Sequence, residues 1–458
     1  MYQDISFWLE TAGDDLTPRS PLAESTDVDV AILGAGFSGL WTAWYLKARD
    51  PSLVVAVVER EIAGFGASGR NGAWCTSEFP TGPGALAHTY GAETARAVVT
   101  EMRETVAEIR RVRVAEGIDC DWADGGQLTV ARGTHQRPAI EDEFESMTRL
   151  GLDEGLHLLD AHDARDRVNI TDIQGALFSP WTAAIHPGKL VRGLARAVER
   201  RGATIFERTA VMRVHPGRYP TLETDCGNVR AKAIVLCGEA YLSQLPGYHR
   251  AVMPVYSLIT LTEPLTESDW AEIGWRRREC VASCRFTVDY LSRTADGRIL
   301  FGGRGAPYRF GSRISNRMDH HAGTHQMLQD NLRIWFPCLK DVRFTHTWGG
   351  PLGWSRDFMP TVSFDAAQGI AMAHGYTGNG VATTNLAGRT LADMITGRQS
   401  VLLTLPHANH NTRHWEPEPF RFAGVRYMQH AFMRLDQKAE RTGMAPNGKS
   451  LAERLTAH

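Results

Sequence analysis

The chain has 458 residues, a formal net charge of −2 at pH 7 and 22% charged residues. This length exceeds what one hydrophobic core usually supports, so the sequence predicts two or more subdomains. The near-neutral balance removes the electrostatic case for a nucleic acid or an anionic membrane as a partner, and it favours a small-molecule substrate.

Targeting signals and cysteine usage indicate where the protein works. No apolar run approaches the length of a membrane span, and the start, MYQDISFWLE, lacks the basic and apolar regions of a signal peptide. The seven cysteines are an odd number without a C-x-x-C pair, which is typical of reduced thiols packed as small apolar residues. We therefore expect a cytoplasmic protein that does not bind membranes.

An N-terminal arm is predicted over residues 1–25, because a Pro/Ser-rich segment, TPRSPLAEST, precedes the first strand. Phe7 and Trp8 are expected to dock this arm on the body of the protein. The alternative is a frayed tail.

A glycine-rich turn follows the first predicted strand, Val28 to Leu33. The turn has the pattern G-x-G-x-x-G, and its glycines are Gly34, Gly36 and Gly39. Apolar residues at helical spacing follow as far as Asp50-Pro51, and a second strand, Leu53 to Val58, ends at Glu59.

Each of these residue types has a physical role in binding a dinucleotide. Gly34 permits the tight turn, Gly36 lets the backbone approach a pyrophosphate, and Gly39 lets helix and strand pack closely. Glu59 lies about 20 residues beyond Gly39, which suits a carboxylate that binds a ribose hydroxyl. An acid at this position favours FAD or NAD over NADP.

A second polar, glycine-rich loop, REIAGFGASGRNGAWC, follows directly after Glu59. Its glycines and polar residues are Gly64, Gly66, Gly69, Gly72, Ser68, Arg70 and Asn71. We expect it at the carboxyl edge of the sheet, where ligands of open α/β folds bind. The alternative is an ordinary surface loop.

The middle of the chain alternates helices and strands. Helices are predicted at Ala92 to Ala115, Gln136 to Leu150 and Lys189 to Arg201. Strands are predicted at Gln127 to Ala131, at Thr204 to Val214 and in a run ending at Cys237-Gly238.

Residues 249–344 differ, because their alternating, aromatic-rich runs suit an antiparallel sheet and hence a discontinuous second domain. His320, His321 and His325 lie in this region, but no acid or cysteine pattern frames them. We therefore expect a solvated helix face and no metal site.

The last informative stretch is a strand at Ile370 to Ala373, a glycine turn at Gly375 to Gly380 and a helix at Val381 to Ile395 that Gly397 stops. The amide groups and partial positive charge at the helix start would stabilise an anion, such as the pyrimidine edge of a reduced flavin. The alternative is a purely structural strand-turn-helix. Two glycine-rich helix starts in one chain favour one long dinucleotide held at both ends.

These residues resemble the D-amino-acid-oxidase-like superfamily of FAD-dependent oxidoreductases, especially its glycine oxidase, sarcosine oxidase and γ-glutamylputrescine oxidase branches. The resemblance covers residues 27–397. The motifs that carry it are GAGFSG with Glu59, GASGRNG, IHPGKLVRGLA with the strand through Val211, AIVLCG, and W-G-G-x-x-G-x-x-x-D-x-x-P before HGYTGNGV.

The resemblance implies an α/β fold, with a Rossmann-like FAD-binding domain of the glutathione-reductase type and a discontinuous antiparallel-sheet substrate domain of α+β character. The predicted FAD-binding segments are 26–90, 155–248 and 345–400. The predicted substrate-domain segments are 91–154 and 249–344. Residues 401–458 form a C-terminal extension.

The resemblance also implies which residues bind FAD. The first glycine turn would hold the ADP half, the second loop would lie along the isoalloxazine ring, and the last glycine turn would cover its pyrimidine edge. The expected cofactor residues are Gly34, Gly36, Phe37, Ser38, Gly39, Glu59, Arg60, Gly66, Ala67, Ser68, Gly69, Arg70, Asn71, Gly72, Val211, Cys237, Gly238, Gly375, Gly378, Asn379, Gly380 and Val381.

The implied reaction moves a hydride from a carbon next to nitrogen onto flavin N5, and O2 then takes the electrons as hydrogen peroxide. A dehydrogenase that passes the electrons to another acceptor is one alternative. A flavin-binding subunit without its own substrate is another. The oligomeric state is left open.

Two positions depart from the family pattern. Leu352 stands where amino-acid-oxidising members have an arginine that binds the substrate carboxylate, which argues against a simple α-amino acid held in that way. Gly350 stands where monomeric sarcosine oxidases have the cysteine that holds flavin covalently, so we expect noncovalent FAD.

Candidate substrate residues are those expected near the flavin, namely Trp74, Cys75, Tyr256, Arg304, Trp348, Trp354 and Tyr376. The aromatic rings suit a cationic amine, and Arg304 could hold a remote carboxylate or phosphonate. The alternative for each aromatic residue is a place in the core.

Overall fold

The structure is a computed structural model that describes residues 1–304 and 307–456; residues 305, 306, 457 and 458, which fall in the predicted substrate domain and C-terminal extension, lie outside the described residues. The α-helices are α1 (Phe7–Glu10), α2 (Phe37–Arg49), α3 (Pro83–Tyr90), α4 (Ala92–Ala115), α5 (Arg137–Arg149), α6 (Ala161–Arg167), α7 (Pro187–Arg200), α8 (Glu267–Ile273), α9 (Asn316–Asp319), α10 (Ala322–Trp335), α11 (Gly380–Thr396), α12 (Phe420–Thr442) and α13 (Leu451–Thr456). The β-strands are β1 (Thr26–Asp27), β2 (Val30–Leu33), β3 (Val55–Val58), β4 (Trp74–Thr76), β5 (Gln127–Arg132), β6 (His157–Leu159), β7 (Ile173–Ser179), β8 (Thr182–Ala184), β9 (Thr204–Phe206), β10 (Val211–His215), β11 (Thr221–Thr224), β12 (Asn228–Arg230), β13 (Ala233–Leu236), β14 (Met253–Thr262), β15 (Cys280–Ser283), β16 (Asp289–Arg293), β17 (Ile299–Arg304), β18 (Phe344–Trp354), β19 (Thr361–Asp365) and β20 (Ile370–His374).

A six-stranded sheet, in the order β19-β20-β13-β2-β3-β9, carries the glycine turns. Strands β20, β13, β2, β3 and β9 are parallel, and β19 is an antiparallel edge. The central strands are short runs of Val, Ile, Leu and Ala because both faces of the sheet are covered. Helix α11 packs closely on α2, since a Cβ at Gly388 would lie 2.8 Å from the Cβ of Trp41.

The second large sheet has eight strands, in the order β18-β14-β17-β16-β15-β5-β7-β6. Its pairs are antiparallel except β15 with β5. One face packs with α10 in an apolar core that includes Leu258, Phe301 and Trp335. The predicted fold class, a parallel-sheet domain with a second, largely antiparallel sheet, is confirmed.

Most predicted elements around the turns are confirmed. The amphipathic helix is α4 with the predicted bounds, and the helix after the last glycine turn is α11. Gly397 ends α11 in the left-handed conformation, with φ of 70°. The predicted strand from Thr204 to Val214 was wrong as one element: β9 belongs to the parallel sheet and β10 to a four-stranded sheet. The chain turns between them at Arg208, whose φ is 53°.

Three strands pair in a different sheet from the one their predicted segments imply. The segments 155–248 and 345–400 were predicted for the FAD-binding domain, but β6, β7 and β18 pair in the eight-stranded sheet. These strands belong to the eight-stranded sheet because their backbones hydrogen-bond to its strands: β7 pairs with β5, and β18 with β14, over most of their residues. The domain boundaries themselves stay a prediction.

The N-terminal arm is docked, as predicted. Phe7 and Trp8 are buried and pack with Trp348. The Trp8 indole N–H donates to Asn71 O at 2.8 Å, and the Ser6 hydroxyl donates to Gly69 O at 2.6 Å. The arm therefore holds the second glycine-rich loop in place.

The C-terminal extension packs beside the eight-stranded sheet. The Asp436 carboxylate on α12 accepts hydrogen bonds from the amides of Phe286 and Thr287 at 3.0 and 2.9 Å. The rings of Phe286 and Phe432 stack with centroids 5.5 Å apart. Within the described residues, no helix has the length and apolarity needed to cross a bilayer.

Candidate functional site

A long cavity of about 490 Å³ lies along the carboxyl edge of the parallel sheet. All the predicted glycine-rich segments contribute to its wall, because the carboxyl ends of parallel strands meet at one edge. The predicted cofactor residues that line it are Gly34, Gly36, Phe37, Ser38, Glu59, Arg60, Gly66, Ala67, Ser68, Asn71, Val211, Cys237, Gly238, Gly378, Gly380 and Val381. We call it the main cavity.

The first glycine turn needs its glycines for conformation and for close packing. Gly34 has φ of 101°, and a Cβ there would lie 2.7 Å from Cys237 O. A Cβ at Gly39 would lie 1.9 Å from Gly34 O. Gly39 does not border the cavity, so its role is to let α2 begin close to β2.

Glu59 lies at the rim of the main cavity, directly after β3. Its carboxylate accepts hydrogen bonds from the amides of Ala35 and Glu61, both at 2.9 Å. Burial raises the pKa of Glu59 against the lowering effect of these two amides. The two hydrogen bonds hold the carboxylate at the position predicted for ribose binding.

The second loop is bonded internally and to the start of α2. The Asn71 side-chain amide donates to Ala67 O and Ser68 O at 3.2 and 3.1 Å. The Ser68 hydroxyl accepts a hydrogen bond from the Phe37 amide at 2.8 Å. Both glycine-rich segments therefore form one rigid wall.

Arg70 is held by protein groups. Its guanidinium is buried, donates to Asp319 Oδ2 at 2.9 Å and to Phe65 O at 2.8 Å, and stacks over the Phe65 ring. Gly69 is buried against Gly64 O and, like Gly375, borders no cavity. Gly69 and Gly375 therefore shape the loops, and the cofactor contacts that the resemblance implies for these three residues stay predictions.

The last glycine turn is tied to both the first turn and β18. The hydroxyls of Tyr376 and Ser38 lie 2.8 Å apart. Glu239, which the sequence reasoning missed, accepts hydrogen bonds from Gly353 N at 3.0 Å and Gly375 N at 2.8 Å. Burial raises the pKa of Glu239 to about 7. The sequence pattern that could have predicted a role for Glu239 is its position just after the parallel strand β13.

A second cavity of about 290 Å³ adjoins the main one. The two share the lining residues Ala67, Asn71, Leu352, Gly378 and Val381. The predicted cofactor residues Arg70, Gly72 and Asn379 also border the second cavity. Its floor is one face of the eight-stranded sheet, formed by Gln127, Thr129, Ser257, Ile259, Ala282, Tyr290, Arg304, Gly350 and Leu352.

Two of the predicted substrate residues line the second cavity. The Trp74 indole N–H donates to the Ser292 hydroxyl at 2.9 Å, which fixes its ring at the wall. The Arg304 guanidinium lies 4.6 Å from the centroid of Trp354, and burial lowers its pKa to about 10. No carboxylate of the described residues forms an ion pair with Arg304, so its charge is available to a ligand.

The other candidates lie elsewhere. Tyr376 borders the main cavity, whereas Cys75, Tyr256, Trp348 and Trp354 border neither. Side chains alternate along a strand, so Trp74 and Ser257 face the second cavity while Cys75 and Tyr256 face packed cores. Their roles at the substrate stay predictions, and Trp354 lies under the Arg304 guanidinium, which borders the second cavity.

Four residues of the second cavity with carboxyl or carboxamide side chains were missed. They are Glu78, Gln127, Glu143 and Asp289. They come from a loop, two strands and a helix far apart in the chain, so no motif joins them. The predicted solvated helix face is wrong for His325, which is 5% exposed and whose Nε2 lies 3.1 Å from Asp319 O. Among the described residues, no cluster of three or more His, Cys, Asp or Glu could hold a metal ion.

The main cavity fits the FAD that the sequence predicts. Its wall includes residues at the start of α2 and at the start of α11. Helix starts offer amide donors to the pyrophosphate and to the flavin. Gly36 keeps the wall open beside Ser68, since a Cβ there would lie 3.0 Å from the Ser68 hydroxyl.

Comparison with known proteins identifies the family. Residues 29–394 match the model of the family described as DAO, FAD dependent oxidoreductase. The chain is 32% identical over 413 residues to gamma-glutamylputrescine oxidoreductase of Escherichia coli (strain K12), covering 89% of this chain and 93% of that protein. It is 24% identical over 410 residues to glycine oxidase of Geobacillus kaustophilus (strain HTA426), covering 84% and 97%. The crystal structure of glycine oxidase from Geobacillus kaustophilus has the same fold, with a TM-score of 0.67 at 20% identity over 84% of this chain and 99% of that one. The chain belongs to the DAO family of FAD-dependent oxidoreductases.

Proposed function

We propose that the protein oxidises a C–N bond of a small amine to an imine and passes the electrons to O2, which leaves as hydrogen peroxide. The amine is a secondary amine, a polyamine derivative or a substituted amino acid. The relatives named above are a gamma-glutamylputrescine oxidoreductase and a glycine oxidase. When bound, FAD supplies the hydride acceptor for this reaction.

The observation that carries the proposal is the meeting of the two cavities. Leu352, Gly378 and Val381 line both, so a substrate in the second cavity would lie against the cofactor in the main one. Such close placement is what hydride transfer requires. It also favours an enzyme over a flavin-binding subunit without its own substrate.

The walls of the second cavity can orient an amine. Trp74 and Tyr290 present aromatic rings, which attract a cationic nitrogen. The start of α11 brings amide donors to the boundary between the cavities, where they would stabilise developing negative charge. The protein's share of the work is thus orientation and electrostatics.

The apolar side chain of Leu352 argues against a simple α-amino acid as the substrate. Leu352 lines the boundary between the cavities with an apolar side chain. The cation that the floor of the second cavity offers is Arg304, on β17 rather than β18. A carboxylate or phosphonate on the substrate would therefore be bound by a cation from a different strand than the one that carries position 352.

Flavin bleaching tests the proposal. The FAD-loaded protein is mixed anaerobically with secondary amines, polyamines, N-methyl amino acids and aminophosphonates, and peroxide is measured in parallel with air. Bleaching by at least one amine together with peroxide supports an amine oxidase. Bleaching without peroxide selects a dehydrogenase, and the absence of bleaching with every amine contradicts the amine substrate.

A further inference from the structure

Glu239 has an unusual backbone conformation at the edge of the main cavity. It begins the short 3₁₀-helix Glu239–Gln244, which follows β13, and it borders that cavity. Its φ is 46°, in the left-handed region that favours glycine. A residue with a long side chain adopts this conformation at a cost in free energy, so other contacts must hold it there. Those contacts are made by its carboxylate.

The carboxylate of Glu239 joins two backbone segments that are far apart in the chain. Its Oε1 accepts a hydrogen bond from Gly353 N, on β18, at 3.0 Å. Its Oε2 accepts a hydrogen bond from Gly375 N, at the start of the last glycine turn, at 2.8 Å. Backbone amides are the groups that lower the pKa of Glu239 against the effect of burial. One charged group therefore ties the last glycine turn to β18 by charge-assisted hydrogen bonds.

Gly353 fits closely against this carboxylate. A Cβ at position 353 would lie 2.6 Å from Glu239 Oε1, so the glycine is what lets the two groups approach. On the other side of the same residue, the Thr377 amide donates to Gly353 O at 3.1 Å. Both backbone groups of Gly353 are thus used to hold the last glycine turn, one directly and one through Glu239.

The two segments that Glu239 joins are those where the cavities meet. Leu352 directly precedes Gly353, and Gly378 lies three residues after Gly375. Both Leu352 and Gly378 line the main cavity and the second cavity. The position of the boundary between the cavities therefore depends on how the last glycine turn is held against β18.

We propose that Glu239 is a positioning residue for FAD, whose carboxylate fixes the last glycine turn against β18 and so shapes this wall of the main cavity before the cofactor binds. A wall that is already ordered loses less conformational freedom on binding, which strengthens the complex. Without the carboxylate, the amides of Gly353 and Gly375 would each lose a hydrogen-bond acceptor. This role is independent of the substrate, so it can be tested without an amine.

The test is titration of the apoprotein with FAD at about pH 8, where a carboxyl with a pKa of about 7 is mostly charged. Glu239→Gln keeps the size of the side chain but turns an N–H group toward one of the two amides. Glu239→Gly removes the side chain and suits the left-handed φ, so its backbone is relieved of strain. We expect each variant to weaken FAD binding roughly tenfold. The absorption spectrum of the bound flavin should also shift, because its contacts with the turn change.

Asp436→Asn is the matched control. The Asp436 carboxylate is also buried and accepts two backbone amides, those of Phe286 and Thr287, but these three residues border neither cavity. The control should lower the free energy of unfolding while leaving the affinity for FAD and the flavin spectrum unchanged. Wild-type FAD affinity in both Glu239 variants would overturn the proposal. Equal weakening of FAD binding in Asp436→Asn would overturn it too, since general loss of stability would then explain the effect.

Discussion

We expect recognition of an anionic substrate group to depend on Arg304. Its guanidinium borders the second cavity, rests on Trp354 and has no carboxylate partner among the described residues. We expect Arg304→Ala to raise KM for a carboxylate-bearing or phosphonate-bearing amine at least tenfold, because one charged pair is lost. Steady-state kinetics with matched anionic and neutral amines measure this. Arg317→Ala, an exposed arginine outside both cavities, is the control, and an unchanged KM in Arg304→Ala would remove Arg304 from the site.

Glu143 gives the second cavity a pH dependence. Burial, with a contribution from the charge of Glu78, raises the pKa of Glu143 to about 7. The thiol of Cys284 also lies near it, but its own pKa is raised to about 12, so it stays neutral. Because the carboxyl is neutral below its pKa and charged above it, binding of a cationic amine in the second cavity should tighten between about pH 6 and pH 8. Calorimetric binding of an alkylamine that stays protonated over this range measures this. Binding that tightens equally in Glu143→Gln would contradict the assignment.

The residues at the cofactor also predict how FAD is held. Gly350 borders the second cavity without a side chain, and of the cysteines in the described residues only Cys237 lines either cavity. Burial raises the pKa of the Cys237 thiol to about 12, so it is not a nucleophile at neutral pH. Acid precipitation should therefore release the yellow chromophore into the supernatant. Colour that stays in the pellet would show a covalent bond.

At the scale of elements, the N-terminal arm supports the cofactor loop. Trp8 is buried and donates a hydrogen bond to Asn71 O in that loop. Trp8→Ala should lower the free energy of unfolding by about 3–5 kcal/mol and weaken FAD binding, because the loop loses both packing and a hydrogen bond. FAD titration of the apoprotein and denaturant unfolding measure the two effects. Trp8→Phe keeps most of the packing and should lie between, and an unchanged FAD affinity in Trp8→Ala would contradict the supporting role.

The elements that sequence patterns predicted well are those governed by local rules. The strand-turn-helix segments at Gly34 and Gly375 follow from glycine conformation, apolar runs and helix stops, and the structure has them at the expected places. The break between β9 and β10 was missed because it depends on one residue, Arg208, in the left-handed region. Sheet membership of β7 was missed because pairing is a long-range property that local patterns do not encode.

In the candidate site, too, local sequence motifs predicted some residues and missed those that depend on the fold. Most cofactor residues could be placed, since they lie in contiguous motifs at strand ends. The substrate side could not, because which face of a strand borders a cavity depends on register. Cys75 and Tyr256 each stand next to a residue that does face the cavity. Glu78 and Glu143 come together only through the fold, so nothing in the sequence marked them.

At the scale of the whole molecule, the two sheets divide the work. The parallel sheet presents glycine turns and helix starts along the main cavity, and the eight-stranded sheet supplies the floor of the second. The two cavities meet at Leu352, Gly378 and Val381. In the proposed function, the parallel sheet holds the reacting cofactor and the eight-stranded sheet selects the substrate.

The most direct test of the central claim is anaerobic flavin reduction by an amine with deuterium on the carbon next to the reacting nitrogen. If that C–H bond breaks as the flavin is reduced, bleaching should be several-fold slower with the deuterated amine than with the ordinary one in stopped-flow measurements. Equal rates would show that breaking this C–H bond does not limit flavin reduction. No bleaching by any amine would contradict C–N oxidation at this site.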